Sequence, residues 1–339
     1  MNDCKIIAEA GTCNHDMLYA FRAAEAIAEA GAYAMKVQLL NPDTLTSKQA
    51  LSYGRGLKEP TTQHSAFKNA LPYSDWFDLR AYCDEVLGIE WFASCWDHAA
   101  VDACMDMGVR WFKVGSADIT YESLLRYIGQ TGVPVMLSTG GATLDEIQRA
   151  FEWIGRSGIV PFVCTLSYPC PREEAHLNRL KWWSALGCDV GYSDHTTGLD
   201  TVFVAAMLGA GFVEKHFTVT PGDGGDHDFG ITPDQLEWVC GRVNGLGLAS
   251  GEFLRADALL GSGEIRRLDV EEEAVESARR SWHTVRGVQA GDDLWSGGLI
   301  ALRPGTGLEP TQVNAERLMD RPASRPYAAG EIIDKKELS

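Results

Sequence analysis

The sequence predicts a (β/α)8 TIM barrel followed by a small, mainly β module. Three observations carry this. Eight short apolar runs recur between residues 5 and 218, separated by longer amphipathic stretches. Eight strand–helix units fill about 250 residues, the usual size of a closed barrel. Beyond residue 280 the pattern changes to short strand-like runs broken by Gly, Asp and Pro. An open doubly wound sheet is the alternative way to arrange alternating units.

The elements follow in order. The first run is KIIAEAG (5–11), and LYAFRAAEAIAEAG after it has apolar residues at helix spacing and a terminal Gly stop. The second run is AYAMKVQLL (32–40). A long insertion at 41–72 follows it, and loops of that length are usually functional, often lids. The helical pattern YSDWFDLRAYCDEVLG precedes the third run, IEWFASC (89–95). The fourth and fifth are WFKVGSAD (111–118) and PVMLSTG (134–140). LDEIQRAFEWIGRSG leads to the sixth, PFVCTLSY (161–168). The seventh, DVGYSDH (189–195), and the eighth, FVEKHFT (212–218), flank the helical LDTVFVAAMLGAG. The barrel domain is assigned to 1–258 and a linker to 259–280, within which GEIRRLDVEEEAVESARR is charged and helical in pattern. The module spans 281–339 and is too small to bury much core, so it is expected to lean on another surface.

Composition narrows the function. The 339 residues are 45% hydrophobic, enough for a sizeable core, and carry a formal net charge of −17. Such an acidic surface argues against nucleic acid and anionic membranes as partners. An anionic substrate would therefore need its own local cations. No apolar run reaches membrane-spanning length, and MNDCKIIAEAG lacks the features of a signal peptide. The nine cysteines are odd in number and scattered, without a C-x-x-C pair, which points to reduced thiols. A cytoplasmic location is expected.

Residues i and i+2 of a strand share a face. Ser193 and His195 therefore lie together, as do Glu214 and His216. Adjacent strands are about 4.8 Å apart, so the two histidines can converge on one cation if both point inward. On pattern alone, separate histidines satisfying loop carbonyls are as good an account. Mixed imidazole, carboxylate and water ligation would suit manganese, iron, zinc or cobalt. Lys36 and Lys113 sit inside apolar strands, where a lysine is costly without a counter-charge. Each is either paired with a carboxylate such as Glu9, a clamp for an anion, or a Schiff-base lysine. GS (115–116), STGG (138–141) and SDHT (193–196) offer hydroxyl and backbone donors at strand ends. Together with two lysines in so acidic a chain, they favour a phosphorylated substrate.

The motifs IIAEAGTCNH, MKVQ, FKVGSAD, LSTGG, YPCP, YSDHT and VEKHFT…GGDHD, in that order, resemble the sialic acid synthase family (N-acetylneuraminate, legionaminate and pseudaminate synthases). RRSWHTVRGVQAGDDLWSGGLIALRPGTG resembles that family's C-terminal antifreeze-like (SAF) domain, and the match covers essentially the whole chain. The resemblance implies condensation of phosphoenolpyruvate with the open-chain aldehyde of an N-acylated amino sugar, N-acetylmannosamine or a related hexose. The products would be a nonulosonic acid and phosphate. It also implies a divalent metal, manganese first, with magnesium or cobalt as alternatives. His195 and His216 match the metal ligands. Lys36, Lys113, Ser116, Ser138 and Ser193 match phosphoenolpyruvate contacts. Glu9, Gln38, Asp118, Tyr168 and Asp226 match groups facing the sugar or the reacting carbons. Lys113 is also counted with Glu9, Asp118 and Tyr168 among the catalytic set. Arg303 matches an arginine that one subunit's SAF domain inserts into the other's barrel, implying a homodimer with exchanged modules.

The chain departs from the family at several positions. SCWD (94–97) stands where Ser-Thr-Pro-Phe is usual, so Cys95 replaces a hydroxyl and Trp96 a proline. Leu166 replaces Asn or Ser, Asp118 is one methylene shorter than the usual Glu, Cys13 is an apparent insertion, and Gly230 stands for Ser. These changes fall mostly on the sugar half and point to an acceptor other than N-acetylmannosamine. A Schiff-base aldolase on the same barrel and a non-catalytic sugar-binding homologue are the competing accounts.

Overall fold

A computed structural model describes residues 4–52, 61–155, 158–222, 225–245, 257–319 and 321–338. The eight apolar runs form strands β1 (Lys5–Glu9), β2 (Ala34–Leu39), β3 (Glu90–Cys95), β4 (Phe112–Val114), β5 (Val135–Ser138), β6 (Ile159–Val163), β7 (Gly191–Asp194) and β8 (Phe212–His216). All pair in parallel, and β8 returns to β1, so the sheet is a closed barrel and not an open one. The fold is a (β/α)8 TIM barrel.

Most strands end before their apolar runs do, β4 and β6 by the most. β4 ends at Val114, and Ser116–Asp118 forms a 3-10 turn closed by Asp118 N–H on Gly115 O at 3.0 Å. β6 ends at Val163, and the backbone turns on itself with Ser167 N–H on Thr165 O at 2.9 Å. Apolar character continued past the sheet because these segments stay buried at the mouth, where their backbone groups find local partners.

The register sorts the inward side chains into layers. Ile7, Ala34, Phe92, Met136, Val160, Phe162 and Phe212 form an apolar plug inside the barrel. The pairs Glu9↔Lys36, Glu9↔His216, Ser94↔Lys113 and Ser193↔Glu214 lie nearer the carboxyl ends. The plug fills the interior as a packed core, so water and ions reach the charged layer only from the mouth. The outward residues face the helices across a second, larger core that includes Met35, Trp91, Leu137 and Tyr192. Several helices start at side-chain caps. Asp16 accepts from Tyr19 N–H, Asp97 from Ala100 N–H, and Thr143 with Glu146 forms a capping box.

The small module contains an antiparallel pair, β9 (Ser281–Thr284) and β10 (Leu299–Leu302). Val288, Leu294, Leu308, Leu318, Tyr327 and Ile333 form its modest core. It leans on the barrel through Gln312 N–H to Glu122 at 2.8 Å and Arg149 to Glu309 at 3.0 Å. The 41–72 insertion, expected to be a lid, serves partly as its seat. Arg303 N–H donates to Leu45 O and Ser47 N–H to Arg303 O, both at 3.0 Å. Residues 53–60 of that insertion lie outside the described residues. The linker expected over 259–280 is not a free tether. Its helix Glu272–Ala278 packs Ala274 and Val275 on Leu166. Among the described residues no helix is long and apolar enough to cross a membrane.

Candidate active site

Four charged side chains alternate in sign across the barrel. Lys36 Nζ lies 2.8 Å from Glu9 and 3.2 Å from Glu214 Oε1, and it donates to Ser94 Oγ at 3.2 Å. Lys113 Nζ lies 3.4 Å from the same Glu214 oxygen, which also accepts from Ser193 Oγ at 3.0 Å. All four are at least 96% buried. Burial alone would lower both lysines. Glu214 and Glu9 outweigh it at Lys36, whose pKa rises to about 12. At Lys113 burial prevails over the pull of Glu214, with Lys36 adding repulsion, and the pKa falls. Glu214 resists burial through Lys113 and Lys36 and is held well below the usual carboxylate range. Lys36 has two carboxylate partners, while Lys113 shares only the longer contact to Glu214 and is the lysine with most capacity left for a further anion.

Above this layer stand the imidazoles. Asp194 pairs with Lys215, so His195 and His216 are the next residues up adjacent strands. Their ring centroids are 5.4 Å apart. His195 Nδ1 meets Thr165 O at 2.7 Å, and His216 Nδ1 meets Asp226 Oδ2 at 3.0 Å. Each Nδ1 is thus engaged, the arrangement that orients metal-ligating imidazoles, and Ser193 Oγ lies 3.4 Å from Nε2 of His195. Burial lowers the His195 pKa to about 3, with His216 adding to the effect, so its ring is neutral as a ligand must be. Among the described residues no group of three or more His, Cys, Asp or Glu forms a metal cage. At His216 burial is outweighed by Asp226, which raises the pKa, so the two imidazoles differ in charge preference. Two imidazole donors with open positions fit an exchangeable catalytic divalent ion and not a structural one.

Gln38 Nε2 donates to Glu9 Oε1 at 2.6 Å. A Cβ on Gly11 would lie 2.6 Å from Gln38 Nε2, 2.9 Å from Glu9 Oε1 and 3.0 Å from Asp226 Oδ2. Only glycine lets these three groups converge there. The Tyr168 ring lies 4.3 Å from that of His195 and 5.9 Å from that of His216. Ser138 is buried at the end of β5, and Ser116 Oγ accepts from Gly140 N–H at 3.1 Å beside Cys164 Sγ.

Three of the expected groups already have partners within the chain. Gly141 N–H, expected among backbone donors for phosphate, already donates to Glu271 at 2.7 Å. Asp118 is not an open carboxylate. Its Oδ1 receives Arg280 Nε at 2.8 Å, while Oδ2 is buried without a hydrogen-bond partner. Arg303 lies against its own chain, where its guanidinium is 4.8 Å from the Trp96 ring and donates to Gln63 Oε1 at 3.3 Å.

The departures acquire physical reasons. Trp96 supplies the face on which Arg303 rests. Cys95 points outward, its sulfur 3.4 Å from that of Cys104, and does not reach the site. Leu166 packs on the connector, and Ser167 Oγ turns to Pro169 O at 3.4 Å, so neither replaces the missing amide. Two residues escaped notice in the sequence as functional groups. Glu214 was legible as sharing a face with His216, but not as the hub of both lysines. Arg280 sat in a connector read only as charged and helical in pattern.

Comparison with known proteins agrees with the resemblance. The model of the NeuB family matches residues 23–254. N,N'-diacetyllegionaminic acid synthase of Legionella pneumophila is 31% identical over 326 residues, covering 92% of this chain and 88% of that protein. The crystal structure of spore coat polysaccharide biosynthesis protein spsE of Bacillus subtilis superposes with a TM-score of 0.79 at 28% identity, over 99% of this chain and 95% of that one. N-acetylneuraminic acid synthetase of Leptospira borgpetersenii, solved with citrate, gives 0.62 at 26% identity, over 81% and 91%. The chain belongs to the NeuB family, the sialic acid synthases that its motifs resemble.

Proposed function

We propose that this chain condenses phosphoenolpyruvate with the open-chain aldehyde of an N-acylated amino sugar, giving a nonulosonic acid and phosphate. The observation that carries it is the buried Lys36–Glu214–Lys113 cluster directly beneath two oriented imidazoles. Family membership and relatives named as synthases of such acids support the reaction class.

Lys36 and Lys113 hold the carboxylate and phosphate of phosphoenolpyruvate, with Ser116, Ser138 and Ser193 as hydroxyl partners. A divalent cation at His195 and His216 supplies Lewis-acid polarisation of the aldehyde oxygen. Gln38, Asp118, Tyr168 and Asp226 orient the sugar. The enol carbon bonds to the aldehyde carbon while Glu9 accepts a proton from the water that adds to the carbon bearing phosphate. The tetrahedral adduct then loses phosphate by carbon–oxygen cleavage. The unpartnered buried oxygens of Asp118 and Glu214 suit a hydroxyl-rich ligand. The Leu166 and Trp96 changes favour an acceptor other than N-acetylmannosamine.

The test is phosphate release from phosphoenolpyruvate against a panel of amino-sugar aldehydes, with and without chelator. No release with any acceptor and any divalent metal sinks the proposal. Lys113→Ala should weaken phosphoenolpyruvate binding at least tenfold, since a charge-assisted hydrogen bond is worth about 1.5–3 kcal/mol. Titration calorimetry checks this, and unchanged affinity would make the lysine structural. The lowered pKa of Lys113 also suits a Schiff-base amine. Borohydride trapping of a pyruvate adduct would favour that second account.

Arg303 adds a cationic donor over the sugar half. Arg303→Ala should raise the acceptor KM or lower kcat while sparing phosphoenolpyruvate affinity, as steady-state kinetics will read. Docked within its own chain, it predicts that a mixture of Arg303→Ala and His195→Ala subunits stays inactive under subunit exchange. Recovered activity would instead establish the homodimer with exchanged modules that the resemblance implies.

A further inference from the structure

Glu271 lies in the connector, outside every group assigned above, and is fully buried at 0% exposure. Its Oε1 accepts from Gly141 N–H at 2.7 Å and from Leu166 N–H at 2.8 Å. Its Oε2 accepts from Leu268 N–H at 2.8 Å. The first two donors belong to the separate loops that follow β5 and β6. One carboxylate therefore ties both loops to the connector.

Other contacts hold the same junction. Gly141 O accepts from Arg267 Nε at 3.0 Å and Arg279 Nη2 at 2.9 Å. Arg279 is itself anchored 2.6 Å from Glu146. The Leu166 side chain packs on Ala274 and Val275. Gly141 has φ +62°, and a Cβ there would lie 2.6 Å from Val275 Cγ2, so the connector seats directly on the loop.

Each captured N–H is one residue from a group of the site. Gly140 N–H donates to Ser116 Oγ, and Thr165 O holds His195 Nδ1. A buried carboxylate on two backbone donors is a strong, directional tie. Without it, both donors would be buried unpaired, and the loops would shift to satisfy them.

We propose that Glu271 is a positioning residue that sets the β5 and β6 loops, and through them the Ser116 side of the phosphoenolpyruvate site and the imidazole of His195. The connector is then a strap that shapes the anion site, and its continuation through Arg280 into the module joins that site to module docking. The inference rests on the phosphoenolpyruvate reading above.

The experiment measures phosphoenolpyruvate binding by calorimetry, and steady-state kinetics, in the full-length protein and three variants. Glu271→Ala removes the tie. Glu271→Asp keeps the charge but is too short to reach both loops. Glu271→Gln keeps an oxygen for Gly141 and Leu166. The dissociation constant should rise about tenfold or more in the Ala and Asp variants and return to within about threefold in Gln. If Glu271→Ala does not fold, Glu271→Asp and Glu271→Gln decide. Lowered melting temperature with unchanged phosphoenolpyruvate affinity in the Asp variant would overturn the proposal. A wild-type protein that binds no phosphoenolpyruvate would overturn the functional reading, and this inference with it.

Discussion

Replacing His195 and His216 together by alanine should lower turnover by about three orders of magnitude, since polarising the reacting oxygen supplies several kcal/mol. The same protein should lose its bound divalent metal by elemental analysis while still binding phosphoenolpyruvate, because the lysines lie in the layer beneath. Excess chelator should reproduce the loss in the unaltered protein, and added manganese should reverse it. Full activity in chelator, or undiminished metal content in the double variant, would refute the metal site. The two Nδ1 contacts give the expectation its geometry, since Thr165 O and Asp226 fix both rings before any ion arrives.

Arg280→Ala should destabilise the chain by about 3–5 kcal/mol, the usual cost of leaving a buried charge without its partner. The guanidinium serves more than Asp118. It also donates to Thr44 O at 2.8 Å, Ala301 O at 3.1 Å and Trp96 O at 2.5 Å, and sits 4.6 Å from the Tyr121 ring. Its planar fork binds the insertion, the end of β3, the turn after β4 and the module at once. Arg280→Lys should recover only a small part, because an ammonium cannot reproduce that fork. Urea denaturation measures the loss, and a change below about 1 kcal/mol would show that the junction is not cooperative. Acceptor kinetics in the Lys variant should also shift, since Asp118 loses its fixed orientation.

Much of the site was legible because strand alternation is a local property. Spacing alone put Ser193 with His195 and Glu214 with His216 on shared faces, and Glu9 could be named as a counter-charge for Lys36; the barrel register then turned those faces inward. Sequence could also place Asp118, but not say that its carboxylate was taken. The partner, Arg280, is 162 positions away in a connector read only as charged and helical in pattern. Glu214 and Lys113 are 101 positions apart, and their meeting depends on the barrel closing in a particular register.

The sequence by itself determined the eight strand–helix units, the small β module and which polar groups share a strand face. Each of these follows from periodicity over a few residues, which the chain carries wherever it goes. The tertiary structure alone decided which charges share Glu214, how the connector captures the β5 and β6 loops, and that Arg303 rests on Trp96 of its own chain. Those are contacts between distant segments. They are fixed when buried charges and backbone donors must all find partners in one closed barrel mouth, and that requirement has no local signature.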